Sequence, residues 1–183
     1  MRNRISLIAL ALAAAGLTAC QGMAPRETPA AAGQSSARAE AQALPKVPLT
    51  ADVLYYMLLG EIAGHRGQLE VSVSALGRVA QKTRDPRIAE RATLTALYAR
   101  RPQEALENAR LWVELRPQAS EAHEALAAAL MENGNVAEAQ THFRKILALG
   151  GEAGLAHGYL RIAATLGRQS NRTQALETMR ALV

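Results

Sequence analysis

Apolar residues fall along this chain in three textures. Ile5 to Ala19 is a nearly unbroken run of 15 apolar or small residues. Residues 21 to 48 (QGMAPRETPAAAGQSSARAEAQALPKVP) offer few large apolar side chains and contain Pro25, Pro29, Pro45 and Pro48. From Thr50 onward apolar positions recur at helical spacing in an Ala-, Leu-, Glu- and Arg-rich background. β-branched residues are sparse there and no alternating strand pattern occurs. The pattern predicts an all-α fold with breaks at Gly67, Asp85-Pro86, Arg101-Pro102, Arg116-Pro117, Asn133-Gly134, Gly150-Gly151 and Ser170-Asn171. Several breaks carry their own mechanism. Asp85 can cap the helix that Pro86 begins, because proline lacks the N–H that a first turn leaves unpaired. Ser120 is placed to cap a later helix, and Asn133-Gly134 supplies the left-handed residue of a tight turn.

Breaks at half the length of a two-helix unit point to an internal repeat. The segment SEAHEALAAALMENGNVAEAQTHFRKILALG resembles a tetratricopeptide repeat. His123 takes its bulky fourth position, Leu126 its leucine and Ala127 its small eighth residue. Gly134 takes the turn glycine, Ala139 the helix crossing and Phe143 the following aromatic, while Ile146 departs from the usual alanine. The same register places Tyr56, Leu59, Gly60, Gly67, Leu69, Ser72 and Leu76 in a first unit. It places Thr93, Ala105 and Pro117 in a second, and Tyr159, Ile162, Ala163, Ala175 and Met179 in a fourth. The crossing residues Ser72, Ala105, Ala139 and Ala175 lie 33, 34 and 36 residues apart, against a tetratricopeptide period of about 34. The second unit departs at Arg100 and Pro102, which predicts a tighter or differently shaped inner turn. The chain reaches Val183 within the second helix of the fourth unit with no terminal cap, which implies either a dimer through that end or a fragment of a longer array; the fragment is the expectation.

The N-terminal texture reads as an export signal: Arg2 and Arg4, then the apolar run, then small residues. Its length is below the roughly 20 residues of a membrane span; a short anchor helix is the alternative. Leu17-Thr18-Ala19-Cys20 resembles the lipobox of bacterial lipoproteins, in which cleavage precedes the cysteine and its thiol carries the lipid. Cys20 is the chain's one cysteine, so it forms no internal disulfide and has no second thiolate for a zinc site. By the same resemblance Gln21, standing where aspartate retains lipoproteins in the inner membrane, implies the outer membrane facing the periplasm. The expected organisation is a signal peptide over 1–19, a lipidated N-terminus and disordered linker over 20–48, and a tetratricopeptide-repeat domain over 49–183. From Cys20 to Leu49 a flexible chain reaches roughly 30 Å, and about 100 Å fully stretched.

Net charge is +5, or +3 without Arg2 and Arg4, and is spread along the chain. No basic block with interleaved aromatics marks a nucleic-acid partner. His65, His123, His142 and His157 are scattered, and the sequence lacks HExxH, GxSxG, CxxC and a phosphate-cradling glycine loop. The expectation is a non-enzymatic scaffold with no cofactor and no metal.

Stacked helix pairs line a concave face with their first helices. The register assigns to that face Met57 and Glu61, then Arg87, Glu90, Leu94, Leu97 and Tyr98. Glu121, Glu124 and Met131 follow from the third unit, and His157, Leu160 and Arg168 from the fourth. Together they predict a mixed apolar and acidic groove for an extended segment or a helix of a protein partner. Met57 and Glu61 occupy positions that carry the carboxylate clamp in chaperone-tail binders, so that clamp is absent. Trp112 is expected to pack between repeats. The stretches LTADVLYYMLLGEIAGHRGQL, TRDPRIAERATLTALYAR and ALENARLWVELRP resemble outer-membrane tetratricopeptide lipoproteins related to the partner of a periplasmic carboxyl-terminal processing protease. That resemblance implies an adaptor that holds and activates the protease and presents cell-wall hydrolases to it. An assembly lipoprotein for outer-membrane proteins or pili, or the N-terminal part of a larger periplasmic enzyme, would carry the same features.

Overall fold

The computed structural model describes residues 47–182. Residues 1–46, which hold the expected signal peptide, Cys20 and most of the expected linker, lie outside the described residues. Seven helices and no strand occur among the described residues. They are α1 (Ala51–His65), α2 (Leu69–Thr83), α3 (Pro86–Tyr98), α4 (Pro102–Leu115), α5 (Ser120–Glu132), α6 (Val136–Gly167) and α7 (Arg172–Arg180). Gly151 interrupts α6 with φ 58° and ψ −172°, so its arms 136–150 and 152–167 are separate helices meeting at a kink. Consecutive helices pack on one another, and α2 also meets α4 as α3 meets α5. This is a tetratricopeptide-like solenoid of helix pairs. No described helix is long and apolar enough to cross a membrane.

The helix ends follow local chemistry. Thr50 caps α1 by accepting from the Val53 N–H, and Asn171 caps α7 by accepting from Gln174. Asp85 caps α3, accepting from the Arg87 N–H at 2.9 Å. Ser120 does not act as a cap: Ala119 holds that position in an extended conformation, and Ser120 is already the first helical residue. The α1, α3 and α5 ends share one geometry. Gly67, Arg100 and Gly134 have φ of 73°, 56° and 79°. In each case the next N–H reaches back to a carbonyl five residues earlier: Gln68 to Ala63 at 2.8 Å, Arg101 to Ala96 at 3.0 Å and Asn135 to Leu130 at 2.8 Å. These are the bonds of a glycine-terminated helix cap. The inner turn of the second pair therefore has the same shape as its neighbours, contrary to expectation. Arg100 takes the left-handed conformation there, at a cost of about 1–2 kcal/mol.

Small residues set the helix spacing. Ser72, Ala105 and Ala139 are fully buried, and Ala175 nearly so. A side chain on Gly60 would place its Cβ 2.8 Å from Leu76 Cγ, and Ser72 Oγ donates to the Gly60 carbonyl at 2.8 Å. Around these contacts Leu76, Leu111 and Trp112 form one cluster, and Leu126, Leu130, Phe143, Ile146, Ile162 and Leu166 another. In the fourth unit Ile162, Thr165 and Leu166 are buried while Ala163 is exposed. There Ala163 lines a hollow with Leu166, Ala175 and Met179.

Candidate binding cleft

α1 and α3 flank a cleft of about 740 Å³, floored by Leu69, Ser72 and Leu76 of α2. Gly60 and Gly64 let α1 lie down on α2, where Cβ atoms would press Leu76 and Ser72. Five residues assigned to the groove from the register come together here: Glu61, Arg87, Glu90, Leu94 and Tyr98. Leu94 and Tyr98, one turn apart on α3, are 50% and 77% exposed. Glu61 pairs with Arg91 across the cleft. The Arg87 guanidinium is clamped on Asp85 by Nη2 at 2.8 Å and Nε at 3.1 Å. That side-chain pairing holds the Asp85 carboxyl below its usual range against the pull of burial, helped by the N–H groups of Arg87 and Ile88. The same carboxylate thus starts α3 and fixes a cation at the cleft.

The remaining assigned residues lie elsewhere. Met57 and Leu97 are half-buried against the core. Met131 does not face the groove; it is buried, and Thr178 Oγ1 lies against its sulfur. His157 and Leu160 are exposed on the second arm of α6. Glu121, Glu124 and Arg168 belong to an ion network that joins α5 to that arm. Glu124 accepts from Arg161 Nε at 2.9 Å and Nη2 at 2.8 Å, from Thr165 Oγ1 at 2.8 Å and from Arg168 Nη2 at 3.4 Å. Glu121 accepts from Arg161 Nη1 at 2.8 Å. Its carboxyl is held low chiefly by its own backbone N–H at the start of α5, against burial, with Arg161 adding to the effect. These acidic groups are neutralised within the fold.

The register did not single out Arg91 or Arg161, yet a sequence signal for the wider pattern exists. Opposite charges recur about one repeat apart and pair: Asp52 with Lys82, Glu61 with Arg91, Glu70 with Arg101, Arg84 with Glu114 and Arg100 with Glu132. Exposed pairs of this kind add little stability individually. A second unanticipated pair is His123 and His142, whose Nδ1 atoms are 2.9 Å apart. His123 Nε2 lies 3.0 Å from the Pro117 carbonyl, which can only accept. Neutral His123 therefore carries its proton on Nε2, and His142 Nδ1–H donates to His123 Nδ1.

Nothing in the cleft pairs a nucleophile with a base. Glu61 engages Arg91, Ser72 the Gly60 carbonyl and Thr95 the Arg91 carbonyl, and no described group of three His, Cys, Asp or Glu residues could hold a metal ion. What remains open is an apolar wall with a few polar groups, at a volume typical of binding pockets, about 300–1,000 Å³.

No protein-family model matches the chain. The crystal structure of MamA protein is similar at a TM-score of 0.51 and 17% identity, covering 72% of this chain and 73% of that one. It shares the helical-repeat fold. Over 96 residues, 52% of the chain, the sequence is 38% identical to TPR repeat-containing protein PA4667 of Pseudomonas aeruginosa. The matched region spans only 16% of that relative's length.

Proposed function

We propose that the protein is a non-catalytic adaptor that holds segments of other proteins in the cleft between α1 and α3. The observation that carries this reading is the exposed Leu94–Tyr98 wall beside the Leu69–Leu76 floor, open on the face shared by first helices. An apolar slot with a few oriented polar groups suits a helix or an extended segment laid against it. Repeat similarity to the Pseudomonas protein fits the same role. The lipobox-like Leu17–Cys20 stretch extends it: the adaptor is anchored by lipid at Cys20 to the outer membrane and faces the periplasm. The resemblance of the first two units to protease-partner lipoproteins supplies the particular client, a carboxyl-terminal processing protease and the cell-wall hydrolases delivered to it.

The test is a crosslinking pull-down of the intact protein from cells, compared with Leu94→Ala combined with Tyr98→Ala. Recovery of the protease with the parent chain, falling at least tenfold with the double variant, supports the proposal. Recovery of barrel-assembly or pilus components without protease would replace it with an assembly role.

A further inference from the structure

Most polar side chains that line the cleft already have a partner within the fold. Beside the Glu61–Arg91 pair and the two hydroxyl bonds, Arg87 is held on Asp85. Three lining side chains remain: His65, Glu90 and Tyr98. His65 and Tyr98 are exposed to water. Glu90 is different, because it is half-buried and makes no hydrogen bond or ion pair with any described residue. A carboxylate partly withdrawn from water gains most from a cation that meets it there.

The surroundings of Glu90 define the rest of the ligand. Leu94 and Tyr98 follow it one and two turns along α3, so a charge and two apolar contacts share one face over about 12 Å. On α1, Leu58 and Ile62 are exposed and stand on the face of Glu61 and His65, three and four positions apart. The wall opposite Glu90 is therefore largely apolar. An acidic segment would find both cleft guanidinium groups, Arg87 and Arg91, already on carboxylates. It would have to break one of those pairs. A segment with a lysine or arginine meets a carboxylate that has no competitor. Its apolar side chain should follow about 6 Å further on, which is one helical turn or two residues of extended chain.

We infer that the cleft, taken as the docking site proposed above, selects a basic–apolar protein segment whose lysine or arginine is received by Glu90. The test places the photo-crosslinker p-benzoylphenylalanine at Tyr98 of the full chain in cells, an aromatic for an aromatic, and adds Glu90→Gln or Glu90→Lys. Glu90 has no partner to lose, so both variants should keep the parent melting temperature. The crosslinked adduct should fall about tenfold with Glu90→Lys and less with Glu90→Gln. Peptide mapping of the parent adduct should show the basic residue, and its replacement by glutamate should restore the adduct with Glu90→Lys. An adduct indifferent to both Glu90 variants overturns the inference and leaves the cleft reading standing. So does an acidic captured segment. A captured second copy of this chain, or no adduct at Tyr98, removes the cleft reading and this inference with it.

Discussion

At the scale of single residues, the His123–His142 contact makes the fold sensitive to mild acid. Half-burial of the His142 ring, reinforced by the neighbouring His123 ring when that is protonated and by Arg110, and opposed by Glu138, lowers its affinity for a proton below the ordinary 6.5. The unfolded chain then binds that proton at higher pH than the folded chain does. Stability is therefore full above about 6.5 and is lost as pH falls through the folded value. Asp85 and Glu121, whose pKa values are also depressed, withdraw their contribution only in the lower carboxylate range. The expected result is a two-stage decline of melting temperature with acid. His142→Gln should abolish the upper stage and keep the lower; an upper stage that survives in the variant would contradict the assignment. Neither histidine's neighbour is visible from its spacing in sequence, because 19 residues and a helix reversal separate them.

At the scale of elements, the inter-helix turns show how a repeat tolerates a deviation. Gly67, Arg100 and Gly134 occupy equivalent caps, and nothing lies within 4 Å of a Cβ added at Gly67 or Gly134. Gly134→Ala should therefore cost about 1 kcal/mol through backbone strain alone, read as a lower midpoint in denaturant with an unchanged slope. Arg100→Gly should move the midpoint the other way, less the extra chain entropy of glycine. A loss of stability in the second variant would mean that the exposed Arg100–Glu132 pair outweighs the strain. The helix breaks were legible in sequence because glycine, proline and Asn-Gly act over two or three residues. The deviation at Arg100 was legible too, but its outcome was not. The turn is dictated by the packing of α3 on α4, and that packing keeps the shape and imposes the strain.

At the scale of the whole molecule, small-residue crossings and the buried clusters around them hold the helix pairs together, and the lipid anchor proposed at Cys20 lies outside the repeats in sequence. Cys20→Ser should leave the helical melting curve of the repeats unchanged while moving the protein from the membrane to the soluble fraction. Membrane retention after that substitution would overturn the lipobox reading.

Sequence by itself determined the helical class, the period and the helix breaks, since each depends on residue size and backbone preference over a few positions. It also marked Ser72, Ala105, Ala139 and Ala175 as crossing points, because only small side chains fit there. Tertiary structure alone decided how far each helix turns its stripe toward solvent. α5 lies between neighbours on both sides, so Met131 is buried although its register number matches a groove position. α1 has one close neighbour, so Leu54, Leu58 and Ile62 remain exposed although their composition reads as core. Glu121 and Glu124, acidic in sequence, are neutralised by Arg161 from beyond the Gly151 kink. A helix's own periodicity fixes which residues share a face. Its neighbours fix what that face meets.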